Sequence, residues 1–451
     1  MKKRRVLILL ALSLMVMIFV VACGSADETN VDPTPATTPE QQTATPTPQQ
    51  PDDVEQQQEE SINEFEGVTL TFWYWDINAQ EAYNNMFEEF YNRTGIIVEQ
   101  SITPFADYWT NLQTALPAGG GPDIMWMNHP NAVSYIPTGL LVDITDWNLN
   151  MSGFVSSLYE PFSRAGSLFG VPVFFDAQAL YYNKDIFDAA GMPYPPERGW
   201  SWDEMRETAI ALTEKVGNEV MVYGLGFPFS TQSGTNNFIW GNGGDFFNSD
   251  RTLYEFNRPE NIEALQFWHD LIWVDGISPN PTEFSEFNNL GQLFLNNMMA
   301  MEIMGMWRVA PYYEQLGDRL GIAHLPNNGT EANTFHNLAY VVNESTQNEG
   351  AVRKFMEFMT TSDAGDLLAP VFLPAHSDSQ ALHFEKYSDI AMHVFADVMQ
   401  YARPLPIASL NAGPVFTFVN QEMLRVFMAD EITAELLQSV DDAANEMIHQ
   451  E

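Results

Sequence analysis

The chain has 451 residues, with 60 Asp and Glu against 19 Lys and Arg, and a formal net charge of −41. That excess repels phosphate and excludes nucleic acid as a partner; it also argues against a body lying on anionic lipid. A single cysteine excludes an internal disulfide or a cysteine-based metal cluster, and with eight scattered His no metal or other cofactor is expected.

In chain order, Lys2, Lys3, Arg4 and Arg5 precede an apolar run from Val6 to Val21, which reads as a secretory signal over residues 1–22. The run is sixteen residues long, short of the roughly 20 that a spanning helix needs. It ends in Val20-Val21-Ala22-Cys23, a small-residue cleavage pattern followed by cysteine, the form of a bacterial lipobox. Cys23 is therefore expected to carry lipid and to hold the mature protein, extracytoplasmic, at the cell membrane. An uncleaved anchor with an incidental cysteine is the alternative. Residues 23–66 are Pro, Thr, Gln and acid with no Lys or Arg, which predicts a disordered acidic spacer. The remaining stretch of about 385 residues exceeds what one hydrophobic core supports, so two lobes are expected.

The body opens with a strand-type run, Val68 to Trp75. Tyr83, Met86, Phe87 and Phe90 then recur at helical spacing, with Gly95 placed for a left-handed cap. A second strand from Ile96 to Ile102, a helix from Tyr108 to Leu116 and a strand from Asp123 to Met127 continue the alternation, which predicts an α/β fold with a parallel sheet. Val352, Phe355, Met356 and Met359 trace a further core-facing helix, as do Ile262, Leu265, Trp268 and Ile272. Asp123, after Gly119 to Pro122, reads better as a brace on a neighbouring turn than as a ligand contact. Tyr181 to Lys184 reads as a strand end beside a helix start, where side chains face a crevice.

Several segments stand in a characteristic order: Leu70-Thr-Phe-Trp73 with Phe87-Glu-Glu-Phe-Tyr-Asn-Arg-Thr-Gly95; Gly121-Pro-Asp-Ile124; Phe169-Gly-Val-Pro172; Ala179-Leu-Tyr-Tyr-Asn-Lys-Asp-Ile-Phe187; and Trp200-Ser-Trp-Asp-Glu204. Farther on come Gly241-Asn-Gly-Gly-Asp-Phe-Phe247, Gly305-Met-Trp307 and Glu349-Gly-Ala-Val-Arg-Lys-Phe355. Together they resemble the extracellular sugar-binding proteins of ABC importers. The resemblance implies a two-lobed periplasmic-binding-protein-like α/β fold, crossed several times by the chain, with the ligand trapped between the lobes. By analogy, residues 67–177 with 326–372 form one lobe and 178–325 with 373–451 the other. The implied protein is a non-enzymatic, monomeric receptor that delivers a sugar to membrane permease subunits of an ABC transporter.

A sugar offers hydroxyls that want polar partners and a C–H face that packs on aromatic rings. Trp75 and Asp76, after the first strand, join an aromatic to an acid, or else are a buried Trp and a helix-capping Asp. The resemblance places Asn128 and His129 at the next strand end. Where maltose-binding members carry Asp and Arg, this chain has Pro130 and Asn131, which speaks against a maltodextrin ligand. Asp176 falls at an acidic contact of the family's hinge, between apolar neighbours that make an unpaired carboxylate expensive. Trp240 and Trp307 are stacking candidates beside glycines expected to let backbone and ligand approach, and Asn337 and Arg403 complete the set. The rival readings are a polyamine or peptide binder, a sensor receptor, or a glycoside hydrolase using paired carboxylates.

Overall fold

The computed structural model describes residues 64–287, 290–405, 407 and 412–449. Cys23, the signal and nearly all of the spacer lie outside these. Residues 64–66, read as the end of the spacer, form a turn whose Phe65 packs on the first core against Gly350. A lone aromatic in a polar stretch is drawn to the nearest apolar surface, so the ordered body begins earlier than composition indicates.

The first sheet is built from β1 (Thr69–Tyr74), β2 (Ile97–Ile102), β3 (Ile124–Asn128), β4 (Gly170–Asp176), then β8 (Thr334–Val342) and the short β9 (Arg403–Pro404). Its order is β9-β8-β3-β1-β2, with β4 on the other side of β8. A second sheet places β5 (Gln178–Asn183) between β6 (Met301–Gly305) and β7 (Leu320–Ala323). The helix Gln80–Thr94 buries the expected Tyr83, Met86, Phe87 and Phe90, and Gly95 closes it at φ 71°.

The expectation of parallel strands holds for β1 with β2 and with β3, but β8 runs antiparallel to both β3 and β4, and the second sheet pairs antiparallel throughout. The physical reason is the path of the chain. It leaves the first sheet at Ala177, passes through the second, and re-enters from the far end as β8, so the returning strand has the opposite sense. This is the two-lobed architecture.

The inner strands of both sheets are covered on both faces, as buried strands require, while the edge strand β2 stays partly exposed. In β3 and β8, Ile124, Trp126, Leu338 and Tyr340 face one core while Met125, Met127, Ala339 and Val341 face another. In β5, Leu180 and Tyr182 join the core built on Trp202, Trp268 and the helix Ala412–Phe427, whereas Ala179 and Tyr181 join that of Tyr312 and Phe395. This period-2 alternation locks the register, because a slip of one residue would exchange the two cores.

Asp123 acts as the expected brace. Its Oδ2 accepts from Thr71 N and Thr71 Oγ1, each at 2.8 Å, and its Oδ1 accepts from Thr346 Oγ1 at 2.5 Å, tying β1 to the loop after β8. Asp123→Ala should therefore destabilise the fold by about 2–3 kcal/mol in denaturant unfolding while leaving ligand affinity unchanged. A change in affinity at full stability would reverse that assignment.

Asp441, on the helix Ala434–Ile448, accepts from Phe256 N at 2.6 Å and Asn257 N at 3.0 Å. Burial nevertheless pushes its carboxyl up from 3.8 to about 6, outweighing those two amides. The folded protein then holds this proton more tightly than the unfolded chain. The stability it contributes is complete below 3.8 and is lost as pH rises through about 6. Calorimetric melting across that window should fall more steeply for the wild type than for Asp441→Asn; parallel curves would show that Asp441 contributes nothing to the slope.

Candidate functional site

The chain ends of several strands converge on a cavity of about 430 Å³. That lies within the roughly 300–1,000 Å³ of small-molecule sites, at the carboxyl ends of β1 and β3 where α/β folds bind their ligands. Trp75 and Asp76 arrive from β1, Asn128 from β3, Phe174 and Asp176 from β4, and His336 and Asn337 from β8. From the chain between β5 and β6 come Ser230, Gln232 and Ser233, then Trp307 and Arg308 after β6, and Phe416 and Asn420 on the helix Ala412–Phe427.

Trp75 is half-buried, and its ring is held edge-on by Phe105, Tyr108 and Trp126 at 5.3, 5.1 and 5.0 Å between centroids. Such a clamp presents one aromatic face at little entropic cost. Trp307 owes its position to Gly305, where a Cβ would fall 1.9 Å from the Trp307 ring. The glycine thus makes room for the indole, not for direct approach of a ligand to the backbone.

The acids in the cavity have partners. Asp76 Oδ1 accepts from Asn78 N at 2.9 Å and Asn78 Nδ2 at 2.8 Å, and Arg308 supplies positive charge nearby. Burial still raises its pKa, against the pull of those groups. Asp176 and His336 are opposed residues of the β4–β8 ladder, with Asp176 Oδ1 2.6 Å from His336 Nδ1. The other ring nitrogen, Nε2, donates to Gln232 O, in the segment between β5 and β6, at 3.0 Å. Burial also raises the Asp176 pKa, and His336 opposes it.

Asn128 is buried. Its Oδ1 accepts from Asn131 Nδ2 at 2.8 Å, while its Nδ2 finds no partner among the described residues. A buried donor left unmade costs about 1–3 kcal/mol, so the cavity presents a site that an acceptor on a ligand or a water would complete. Asn131, one of the two departures from the maltose-binding pattern, is what orients Asn128. Asn337 commits its Nδ2 to Leu158 O at 3.1 Å. Asn420 Oδ1 accepts from both Thr231 N and Thr231 Oγ1 at 2.8 Å, fixing the loop that carries Gln232.

Of the residues expected at the site, Trp75, Asp76, Asn128, Asp176, Trp307 and Asn337 line this cavity, and His129, Trp240 and Arg403 do not. Trp240 lies on the helix Asn236–Gly241, all of whose residues are buried, and packs on Phe246 at 5.4 Å. Its neighbour Gly244 makes room for Asn261, whose Oδ1 would sit 2.2 Å from a Cβ there. The Arg403 guanidinium lies over the Trp240 ring at 5.4 Å, so the two are each other's partners. His129 begins the helix after β3, and burial pushes its pKa down to about 4. The segment Tyr181 to Lys184 is also off the cavity: Tyr181 donates to Gly305 O at 2.9 Å inside a core, and Asn183 caps the next helix.

Sequence reasoning missed His336, Arg308, Gln232 and Asn420. The first two adjoin the chosen Asn337 and Trp307, and adjacency at a strand end was their only signal. Nothing in the sequence links Thr231 to Asn420. Among the described residues no group of three or more His, Cys, Asp or Glu could hold a metal ion.

The chain matches the family of bacterial extracellular solute-binding proteins over residues 74–366. It belongs to that family. An arabinooligosaccharide-binding protein of Halalkalibacterium halodurans is 27% identical over 322 residues, covering 67% of this chain and 69% of that one. A maltotriose-binding protein of Pyrococcus abyssi is 23% identical, over 63% and 60% of the two chains. Among solved structures, an ABC substrate-binding protein of Listeria monocytogenes in complex with cycloalternan superposes with a TM-score of 0.77 at 24% identity, covering 85% of this chain and all of that one. Maltose-bound MalE3 of T. maritima gives 0.73 at 20% identity, over 84% of this chain and all of that one.

Removing one member of the Asp176–His336 pair strands the other in a buried setting. His336→Leu should cost about 3–5 kcal/mol in urea unfolding, and Asp176→Leu with His336→Leu should recover most of it. Additive losses would mean that the two side chains do not act as a pair.

Proposed function

We propose that this solute-binding protein is the lipid-anchored, monomeric receptor of an ABC importer, and that it captures a neutral sugar or oligosaccharide and delivers it to membrane permease subunits. The observation that carries the reading is the make-up of the cavity: two indoles, Trp75 and Trp307, beside amides and acids that already have partners. A polyamine would need carboxylates free to face its ammonium groups. Here Asp176 is engaged by His336, and Arg308 adds positive charge to the same wall. A neutral polyol with an apolar C–H face meets both demands without stranding a charge. The names of the relatives, which bind arabino-oligosaccharide, maltotriose and galacto-oligosaccharide, support the ligand class.

In this reading Cys23 bears the lipid and the spacer that follows it, up to the turn at residues 64–66, is the tether. Residues 67–177 with 326–372 make the first lobe, and 178–325 with 373–451 the second. Trp75, Asp76, Asn128, Asp176 and Asn337 contact the sugar from the first-lobe side, and Trp307, Arg308 and Gln232 from the second. Because both lobes contribute, ligand favours the closed arrangement through contacts that exist only there. The relatives bind their sugars without being named as enzymes, and we assign no catalysis to the two cavity acids.

The test is thermal unfolding of residues 64–451 against neutral sugars, polyols, polyamines and peptides, with chromatography of the recovered ligand. A neutral sugar should raise the melting temperature and return intact, and Trp307→Ala should weaken its binding on the order of thirtyfold. Cleavage of the sugar would replace this reading with a hydrolase. Stabilisation by polyamine alone would replace it with another ligand class.

A further inference from the structure

A second cavity, of about 540 Å³, lies beside the first. The two share Asn78, which lines both. Like the main cavity, it is walled by elements from either side of the fold: Glu81 and Asn85 of the helix Gln80–Thr94 on one side, and Ala310, Tyr313 and Glu314 of the helix Val309–Leu316 on the other.

Its wall has the composition a sugar requires. The Tyr313 ring is fixed edge-on against Tyr387 at 5.1 Å, and its hydroxyl donates to Asp389 Oδ2 at 2.9 Å, so an aromatic plane is held in place before any ligand arrives. Around it stand the exposed amides of Asn78 and Asn85 and the carboxylates of Glu81 and Glu314. Lys386 faces these two acids and balances part of their charge, while its Nζ donates to Pro370 O at 3.0 Å. The Asn78 amide group is tied to Asp76, the acid at the mouth of the main cavity, so one loop forms the threshold between the two spaces.

We propose that the ligand is an extended oligosaccharide, with its first residues between Trp75 and Trp307 and its further residues running past Asn78 into the second cavity, against Tyr313. Together the two spaces approach the upper end of the range of small-molecule sites, more than a monosaccharide fills. The inference rests on the sugar reading of the main cavity.

Calorimetric titration with malto-, arabino- and galacto-oligosaccharides, from mono- to pentasaccharide, tests it. One series should tighten by about tenfold or more between disaccharide and tetrasaccharide. Filling the second cavity with Asn85→Trp, at an exposed helix position that cannot disturb the core, or with Ala310→Trp, should abolish that gain and leave the disaccharide affinity within about twofold. Affinity that is flat beyond the disaccharide overturns the proposal, as does a gain that survives both substitutions in folded protein. Failure of every sugar to bind overturns the reading of the main cavity itself, and is told apart from the other two results by the missing disaccharide signal.

Discussion

The cross-strand pair of Asp176 and His336 is the constraint on which the site depends. The two residues face each other in the β4–β8 ladder, whose register shifts once, between Leu338 and Ala339, and β4 is held on it by Val171, Val173 and Phe174 packed in one core. One residue after Asp176 the chain leaves the first sheet for the second, so the pair stands where the two sheets are joined by the chain. The second nitrogen of the same imidazole reaches Gln232 O on the far side. A single imidazole thus meets the buried Asp176 carboxyl and a backbone carbonyl 104 residues away in the chain.

The rest of the cavity follows from how strands end. β1 and β6 deliver Trp75 and Trp307 just past their last paired residues, where the side chain is no longer confined to one face of a sheet, whereas Asn128 and Asp176 are the last paired residues of β3 and β4. Local packing then orients each one: three rings clamp Trp75, the missing Cβ of Gly305 admits Trp307, and Asn131 holds Asn128. Aromatic planes and hydrogen-bonding groups are thus already placed around the cavity, as preorganised binding requires.

Trp240 shows where sequence reasoning fails. Before Gly241, Gly243 and Gly244 it has the appearance of a stacking residue beside a flexible approach. In the fold, Gly244 instead accommodates Asn261, whose Nδ2 donates to Asp245 O and Glu255 O. An aromatic beside glycines reads the same whether the glycine admits a ligand, as a neighbouring side chain, or the aromatic's own ring. Only the third dimension separates Trp240 from Trp307. Similarly, Asp123 and Asp176 are both acids at the edge of a buried strand, yet one ties β1 to the loop after β8 through hydroxyls and the other meets an imidazole.

By itself the amino-acid sequence determined the family, the alternation of the first strands and helices, the expectation of two lobes and the acidic character of the chain. These depend on periodicity, composition and short motifs, which are local properties of the chain. It also reached most of the cavity's strand-end residues, because a position after a buried strand is recognisable without coordinates. Tertiary structure decided the antiparallel return of β8, the pairing of Asp176 with His336, the anchoring of the Gln232 loop by Asn420, and the withdrawal of Trp240 and Arg403 into each other's company. Each of these joins residues far apart in the chain, and the energy of such a contact depends on register and packing that no local pattern encodes.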